Sequence, residues 1–123
     1  MFKEGNVTVL VSDMDRAVRF YTEALGLSVA LRHGDDWAQV EAPGLSIGLH
    51  PVGEGMAKPS VVGSLSIGFT VEQLETAMGT LKQRGVEFAP QIRDDGPVRL
   101  AFFADPDGTP LYLCEVKQSE SYR

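Results

Sequence analysis

The sequence predicts an α+β fold made of two βαβββ modules within one domain that covers residues 1–123. Apolar residues recur in the order strand, helix and three strands, and this order occurs twice along the chain. A segment with three glycines, two prolines and no apolar periodicity, about residues 51–63, separates the two runs as a linker. A chain of 123 residues with 43% apolar composition is long enough to bury a core of its own.

Module one, about residues 5–50, combines one helix with four strands. Asn6–Val11 is rich in apolar and β-branched residues, which is typical of a strand. Ser12 followed by Asp15 forms a capping-box pattern that starts the helix, and Gly26 is placed to end it. Turn-forming residues separate the three strands that follow, which are Leu27–Arg32, Trp37–Ala42 and Leu45–His50.

Module two, about residues 64–116, repeats this order. Ser64–Phe69 is predicted as its first strand, and Thr70 with Gln73 gives a second capping-box pattern before a helix that ends at Gly85. Three further strands are predicted at Val86–Pro90, Val98–Ala104 and Leu111–Val116, and residues 117–123 are predicted to form a frayed tail.

Charge and composition exclude several classes of partner. The formal net charge is −6, which repels the phosphate backbone of nucleic acids and anionic lipid headgroups. No apolar run approaches the roughly 18 residues of a membrane helix, and residues 1–5 lack the pattern of a signal peptide. Cys114 is the single cysteine, which leaves no intrachain disulfide. We therefore expect a soluble cytoplasmic protein that binds neither nucleic acid nor membranes.

Short motifs in both modules point to a known family. Module one carries NVTVLVSD from Asn6, then Phe20-Tyr21 and Leu25-Gly26, and module two carries Gly85-Val86 and FADPDG from Phe103. With the duplicated order, these motifs resemble the vicinal oxygen chelate superfamily of glyoxalase I, bleomycin resistance proteins and extradiol dioxygenases, over about residues 6–116. The resemblance implies a concave mixed sheet around a ligand cavity, helices on the outside, and a homodimer with a small organic ligand.

Strand alternation then assigns residues to the expected cavity wall, which is rich in small and hydroxyl side chains. Trp37 is a candidate to stack on a flat ligand, although a Trp that covers a dimer seam or the junction of the modules fits its pattern equally well. The candidate ligand-binding residues are Asn6, Thr8, Trp37, His50, Ser64, Ser66, Phe103, Tyr112 and Cys114.

The resemblance also allows a test for a metal. Enzymes of the superfamily usually hold a divalent ion with His and Glu from the first and last strands of the modules. The matching positions here are Asn6, Gly48, Ser64 and Tyr112, whose amide, hydroxyl and phenol groups are poor ligands for transition metals. We therefore expect no metal, no other cofactor and no catalytic residue. The alternative that stays open is a metal site relocated to His50 and either Cys114 or Glu41.

The two aspartates of the DPDG turn, Asp105 and Asp107, are interpreted as structural. Pro106 fixes its own φ and Gly108 permits a positive φ, so the turn reverses the chain tightly into the last strand. Paired carboxylates at this place are therefore not read as catalytic groups.

The sequence favours a binding protein over an enzyme. It predicts a metal-independent binder that sequesters an aromatic or cationic, antibiotic-like compound, as bleomycin and mitomycin resistance proteins do. Two alternatives stay open: a glyoxalase-like lyase, isomerase or dioxygenase with a relocated metal, and a scaffold whose cavity is filled by its own side chains. The sequence leaves open the identity of the ligand, the geometry of the dimer and a role in resistance or in metabolism.

Overall fold

The α+β class and the two βαβββ modules are confirmed in a computed structural model, which describes residues 1, 3–53 and 65–117. A π-helical turn, Phe20–Ala24, extends the first helix. The elements of the described ranges are β1 Val7–Val11, α1 Met14–Arg19, β2 Ser28–His33, β3 Trp37–Ala42, β4 Leu45–Pro51, β5 Ile67–Thr70, α2 Leu74–Gln83, β6 Arg93–Asp95, β7 Val98–Ala104 and β8 Pro110–Val116. Most of the expected linker and tail, together with Ser64, lies outside the described residues.

The chain divides into two compact units, each with one mixed sheet. The first unit holds β1 to β4, α1 and the turn Pro106–Thr109, and its strand order is β1-β4-β3-β2. The second holds β5 to β8 and α2, with the order β5-β8-β7-β6. In both sheets the first strand of the module pairs in parallel with the last strand, and the other pairs are antiparallel. None of the helices in the described ranges has the length and apolar character needed to cross a membrane.

In the first unit the core lies between α1 and one face of the sheet. Alternate strand residues point to this face, and Val11, Val40, Ile47 and Leu49 are all 0% exposed there. Tyr21, in the π-helical turn, is equally buried. The opposite face of the sheet, turned away from α1, is called here the far face.

The core of the second unit follows the same plan. Residues at helical spacing on α2 are buried, namely Leu74, Met78 and Leu81. The apolar strand residues that are buried with them are Ile67, Ala101, Phe103, Leu111 and Leu113. As before, the sheet has a near face that packs on the helix and a far face that does not.

The start of α1 differs from the predicted capping box. Asp13 is the N-cap residue, and its carboxylate accepts a hydrogen bond from the backbone N–H of Arg16 at 3.1 Å. Ser12 is engaged elsewhere, because its backbone N–H and its hydroxyl both donate to the carboxylate of Asp107, at 3.1 and 2.6 Å. The DPDG turn therefore packs onto the beginning of α1.

The start of α2 also differs from the prediction. Gln73 is the N-cap residue and its side chain makes no capping hydrogen bond. The backbone N–H of Leu74 donates instead to the carboxylate of Glu115 on β8, at 2.9 Å. A side chain remote in sequence thus satisfies a helix end that the local Thr70 and Gln73 pattern was expected to satisfy.

The prediction of a strand at Val86–Pro90 is wrong, because these residues form no strand. This segment runs beside β7 with one backbone hydrogen bond, from the N–H of Ala89 to the carbonyl of Phe102 at 2.8 Å. Val86 is 5% exposed, so the alternating pattern reflects burial rather than sheet pairing. The third strand of the module is β6, a short edge strand of charged residues that apolar periodicity does not detect.

Candidate functional site on the far faces of the sheets

The far face of the first sheet carries polar and aromatic side chains from three neighbouring strands. These residues alternate with the buried ones, and the strand register places them side by side. They are Thr8 on β1, Trp37, Gln39 and Glu41 on β3, and Ser46 and His50 on β4, and Leu10 and Gly48 lie among them on the same face.

Trp37 lies across Gly48 on this face. A Cβ atom added to Gly48 would overlap the six-membered ring of the indole and would lie 2.7 Å from Cζ2 of Trp37. The imidazole of His50 is the next ring along, with the two ring centroids 6.2 Å apart and the planes at 67°. A residue without a side chain at position 48 is therefore what lets the indole approach the backbone beside His50.

One ring nitrogen of His50 is held by the main chain. Nδ1 lies 2.7 Å from the carbonyl oxygen of Pro51. Because a carbonyl oxygen only accepts hydrogen bonds, Nδ1 carries a proton in this contact. The neutral ring then has Nε2 as its acceptor nitrogen.

An ordered carboxylate occupies the other end of the same face. Glu41 accepts hydrogen bonds from the amide of Gln39 at 2.7 Å and from the hydroxyl of Ser46 at 2.6 Å. These two donors, the Gln39 amide foremost, hold the pKa of the Glu41 carboxyl below its ordinary value because they stabilise the charged form. Glu41 and Ser46 line an open depression of about 420 Å³, together with Asn6 and the backbone at Gly5 and Gly44.

The far face of the second sheet repeats the pairing of an aromatic ring with a glycine. The phenol ring of Tyr112 lies over Gly68 on the neighbouring strand, where a Cβ atom would meet the ring and the hydroxyl. The ring centroids of Phe102 and Tyr112 are 6.0 Å apart. Cys114 lies on the same face, and burial raises the pKa of its thiol, which makes it a weak nucleophile.

The placement expected for Phe103 is wrong. Phe103 is 7% exposed and packs against Phe88 at a centroid distance of 5.1 Å, on the face that α2 covers. Phe102 takes the place on the far face instead. A hairpin centred on the DPDG turn pairs Phe102 with Tyr112, and paired residues lie on the same face of a sheet. The position of the turn in the sequence could therefore have indicated Phe102 rather than Phe103.

The remaining candidates are distributed as follows. Asn6 and Thr8 are exposed at the start of β1, with the Thr8 hydroxyl 3.5 Å from the Asn6 amide oxygen. Ser66 is exposed just before β5, and Ser64 lies outside the described residues. The sequence indicated Glu41 only as an alternative metal ligand and did not predict its hydrogen bonds with Gln39 and Ser46, which depend on the strand register.

A comparison with protein families decides the class of the chain. The model of the Glyoxalase/Bleomycin resistance protein/Dioxygenase superfamily matches residues 5–113. The chain belongs to this superfamily. The match spans both modules, and the resemblance that the motifs indicated is confirmed.

Proteins with similar sequences or structures carry several descriptions. Uncharacterized protein YetH of Bacillus subtilis is 30% identical over 115 residues, which cover 90% of this chain and 96% of that protein. The lactoylglutathione lyase of Schizosaccharomyces pombe is 27% identical over 150 residues, which cover 98% of this chain and 49% of that protein, so the chain spans about half its length. The crystal structure of the glyoxalase family protein from Enterococcus faecalis matches with a TM-score of 0.74 and 29% identity, covering 93% of this chain and 98% of that one.

The residues at the metal positions of the superfamily do not fit a divalent metal. The first strands of the modules begin at Val7 and Ile67, and the N-cap residues of the helices are Asp13 and Gln73, so both landmarks differ by the same number of positions. The residue of module two that corresponds to Asn6 is therefore Ser66 rather than Ser64. Gly48 has no donor and lies under an indole ring, and the other positions offer an amide, a hydroxyl and the Tyr112 phenol. Within residues 3–53 and 65–117, no three His, Cys, Asp or Glu side chains come together as ligands.

Proposed function

We propose that this protein binds a small organic molecule without a metal and acts by sequestering an aromatic or cationic, antibiotic-like compound. The observation that carries the proposal is the arrangement of Trp37 over Gly48 beside His50. Two ring systems at one end of a sheet face, with hydrogen-bonding groups along the rest of it, suit a planar ligand.

The proposed contacts divide by chemistry. Trp37 and His50 supply stacking surfaces, while Asn6 and Thr8 orient the ligand by hydrogen bonds on the first sheet. On the second sheet the proposed contacts are Ser66, Tyr112 and Cys114. Ser64 stays a prediction from the sequence.

We extend the proposal to a cytoplasmic homodimer. The unpaired Cys114 thiol supports a reducing compartment, because secreted domains of this size commonly use disulfides. The dimer is supported by the resemblance to the superfamily, and sedimentation of the purified protein tests it by its mass.

The test uses the single Trp of the chain as a reporter. Protein treated with EDTA is titrated with bleomycin, mitomycin C and quinoline while the fluorescence of Trp37 is followed, and a parallel titration of N-acetyltryptophanamide corrects for light that the ligand absorbs. We expect a saturable change with at least one compound, because a ligand stacked on the indole alters its surroundings. No saturable change with any compound would favour a scaffold whose cavity its own side chains fill.

Calorimetry with variants then locates the binding. Trp37→Ala and His50→Ala are expected to weaken the binding of the active compound by about tenfold or more, since each removes a stacking ring. Leu65→Ala is the matched control, because Leu65 is an apolar residue, 75% exposed, on the other unit of the chain. Equal affinities in all variants would place the ligand elsewhere.

One observation favours a second candidate, a lyase or isomerase with a metal at a relocated position. A histidine that ligates a metal commonly donates its other ring N–H to a backbone carbonyl, as His50 does with Pro51. The 27% identity to a lactoylglutathione lyase supports the same candidate. Elemental analysis of protein purified without chelators distinguishes the two, because a stoichiometric transition metal would overturn the binding proposal.

A further inference from the structure

The carboxylate of Glu41 is held in place by neutral groups alone. Gln39 and Ser46 each donate one hydrogen bond to it, one to each oxygen. A carboxylate oxygen accepts more than one hydrogen bond, so both oxygens keep acceptor capacity toward the depression that Glu41 lines. A glutamate carboxyl is ionised at neutral pH, and the two donors lower the pKa of Glu41 further.

The negative charge of Glu41 has no counter-ion among the described residues. Glu41 takes part in none of the ion pairs found in that part of the chain, where Arg16 pairs with Asp107, Arg32 with Asp15 and Asp35, Arg99 with Glu75 and Glu115, and Lys117 with Asp94. Arg32 lies on the helix-covered face of the first sheet, opposite to the face that carries Glu41. A half-buried charge without a counter-ion is a favourable partner for an external cation.

The surroundings of Glu41 have room for such a cation. The depression measures about 420 Å³, and Gly5, Asn6 and Gly44 line it together with Glu41 and Ser46. This volume falls in the range of small-molecule sites. The net charge of −6 adds a long-range attraction for cations at low ionic strength.

We propose that this depression binds the cationic nitrogen group, an ammonium or an amidinium, of a small organic ligand, with Glu41 as its counter-ion. The inference rests on the proposed function and deepens it, because it makes a positive charge a requirement of the ligand. Charge-assisted hydrogen bonds from nitrogen to the Glu41 oxygens would fix the cationic end.

The test compares two probes that differ in charge. Benzamidine is a planar cation at neutral pH, and benzamide is its neutral counterpart of the same shape. Binding of each to the full chain is followed by the amide NMR shifts of Glu41 and Ser46 and by calorimetry, in a buffer of low ionic strength. We expect benzamidine to bind at least about tenfold more tightly than benzamide, with the largest shifts at Glu41 and Ser46.

Variants separate the charge from the shape of the site. Glu41→Gln keeps the size of the side chain and removes its charge, so the preference for benzamidine should disappear. Ser46→Ala removes one hydrogen bond and leaves the charge, so a reduced preference should remain. Glu87→Gln, at an exposed glutamate of the second unit, is the matched control and should behave like the unchanged protein.

The outcomes distinguish this inference from the proposed function. Equal binding of the two probes, a preference that survives Glu41→Gln, or no shift at Glu41 and Ser46 up to about 10 mM benzamidine would each overturn the cation site. A saturable Trp37 response to an aromatic compound would in those cases leave the proposed function standing. A Glu41-dependent preference for benzamidine with no response of Trp37 to any panel compound would support the cation site and remove the aromatic one.

Discussion

At the scale of single residues, two glycines determine where the aromatic rings lie. Gly48 and Gly68 lie under Trp37 and Tyr112, one pair on each sheet. Strand alternation predicted that Trp37 and Tyr112 leave the core, because small or apolar residues alternate with the residues of their face along each strand. It did not predict the contacts with glycine, since these depend on strand register and side-chain rotamers that the sequence pattern does not encode.

A substitution at Gly48 tests this contact. Gly48→Ala is expected to lower the free energy of unfolding by about 1–3 kcal/mol, because the new methyl group displaces the Trp37 ring from a packed position. Thermal unfolding measures the loss, and the emission of Trp37 should shift as its surroundings change.

Gly79→Ala provides the control for this prediction. Gly79 lies in α2 with open space where a Cβ atom would go, so alanine should stabilise the protein by about 0.5–1 kcal/mol through helix propensity. Equal effects of the two substitutions would contradict the close approach of Trp37 to the backbone.

The titration of Glu41 gives a second prediction at this scale. Hydrogen bonds from Gln39 and Ser46 lower the pKa of the folded state below the ordinary value of 4.5. A lowered pKa means that the stability from this carboxylate is present above the unfolded pKa and is lost as the pH falls through the folded pKa. Carboxyl NMR should show Glu41 titrating below 4.5.

Ser46→Ala provides the internal comparison for the titration. Loss of the hydroxyl donor should move the Glu41 pKa back toward its ordinary value, whereas Gln39 continues to lower it. An unchanged titration in this variant would show that Ser46 does not stabilise the charged form.

At the scale of elements, a distant carboxylate lies at the start of each helix, where Asp107 accepts hydrogen bonds from Ser12 just before α1 and Glu115 accepts one from Leu74 of α2. The sequence predicted the helices themselves, since their apolar spacing is clear in Met14, Ala17, Val18 and Tyr21. The sequence did not predict the contacts at the helix starts, because both carboxylates are far away in sequence. Glu115 lies on β8 and Asp107 lies in the DPDG turn. Local capping patterns are weak evidence where a tertiary acceptor competes.

Glu115 tests the start of α2. Glu115→Ala is expected to lower the free energy of unfolding by about 1–3 kcal/mol, because it leaves the Leu74 N–H without its acceptor and removes the 3.0 Å contact with Arg99. Chemical denaturation measures the loss. Glu75→Gln, which changes the exposed partner of Arg99, should have no measurable effect, and a larger effect from Glu75 than from Glu115 would contradict this assignment.

Asp107 tests the contact between the DPDG turn and α1. Its side chain is 7% exposed and accepts two hydrogen bonds from Ser12, so Asp107→Ala should cost about 1–3 kcal/mol of stability. Asp36→Ala, in an exposed turn of the same unit, should change stability by less than about 0.5 kcal/mol. If the two variants unfold at the same denaturant concentration, the turn does not stabilise the helix start.

At the scale of the whole molecule, the duplicated order of elements was the most predictable property. Periodicity carries the order βαβββ in both halves, and the two sheets share one strand order. The residue-by-residue correspondence of the two modules was less predictable. Apolar runs in the sequence paired Asn6 with Ser64, whereas the observed starts of the strands and helices pair Asn6 with Ser66. A shift of two residues keeps the same face of a strand, so alternation alone does not detect it.

The candidate site was predictable in part for the same reason. Which side chains leave the core followed from alternation, as for His50 and Cys114. Which of them meet did not, because the cluster of Glu41, Gln39 and Ser46 depends on the pairing of β3 with β4. Function within the superfamily depends on such clusters, since the fold alone supports several chemistries.

The most direct measurement is the affinity of the compound that responds in the Trp37 titration, determined by calorimetry before and after removal of metals with EDTA and again after addition of Zn²⁺ or Ni²⁺. We expect the same affinity in all three states, because the proposed contacts are rings, amides and hydroxyls. Binding that disappears with EDTA and returns with a stoichiometric metal would contradict a metal-independent binding protein.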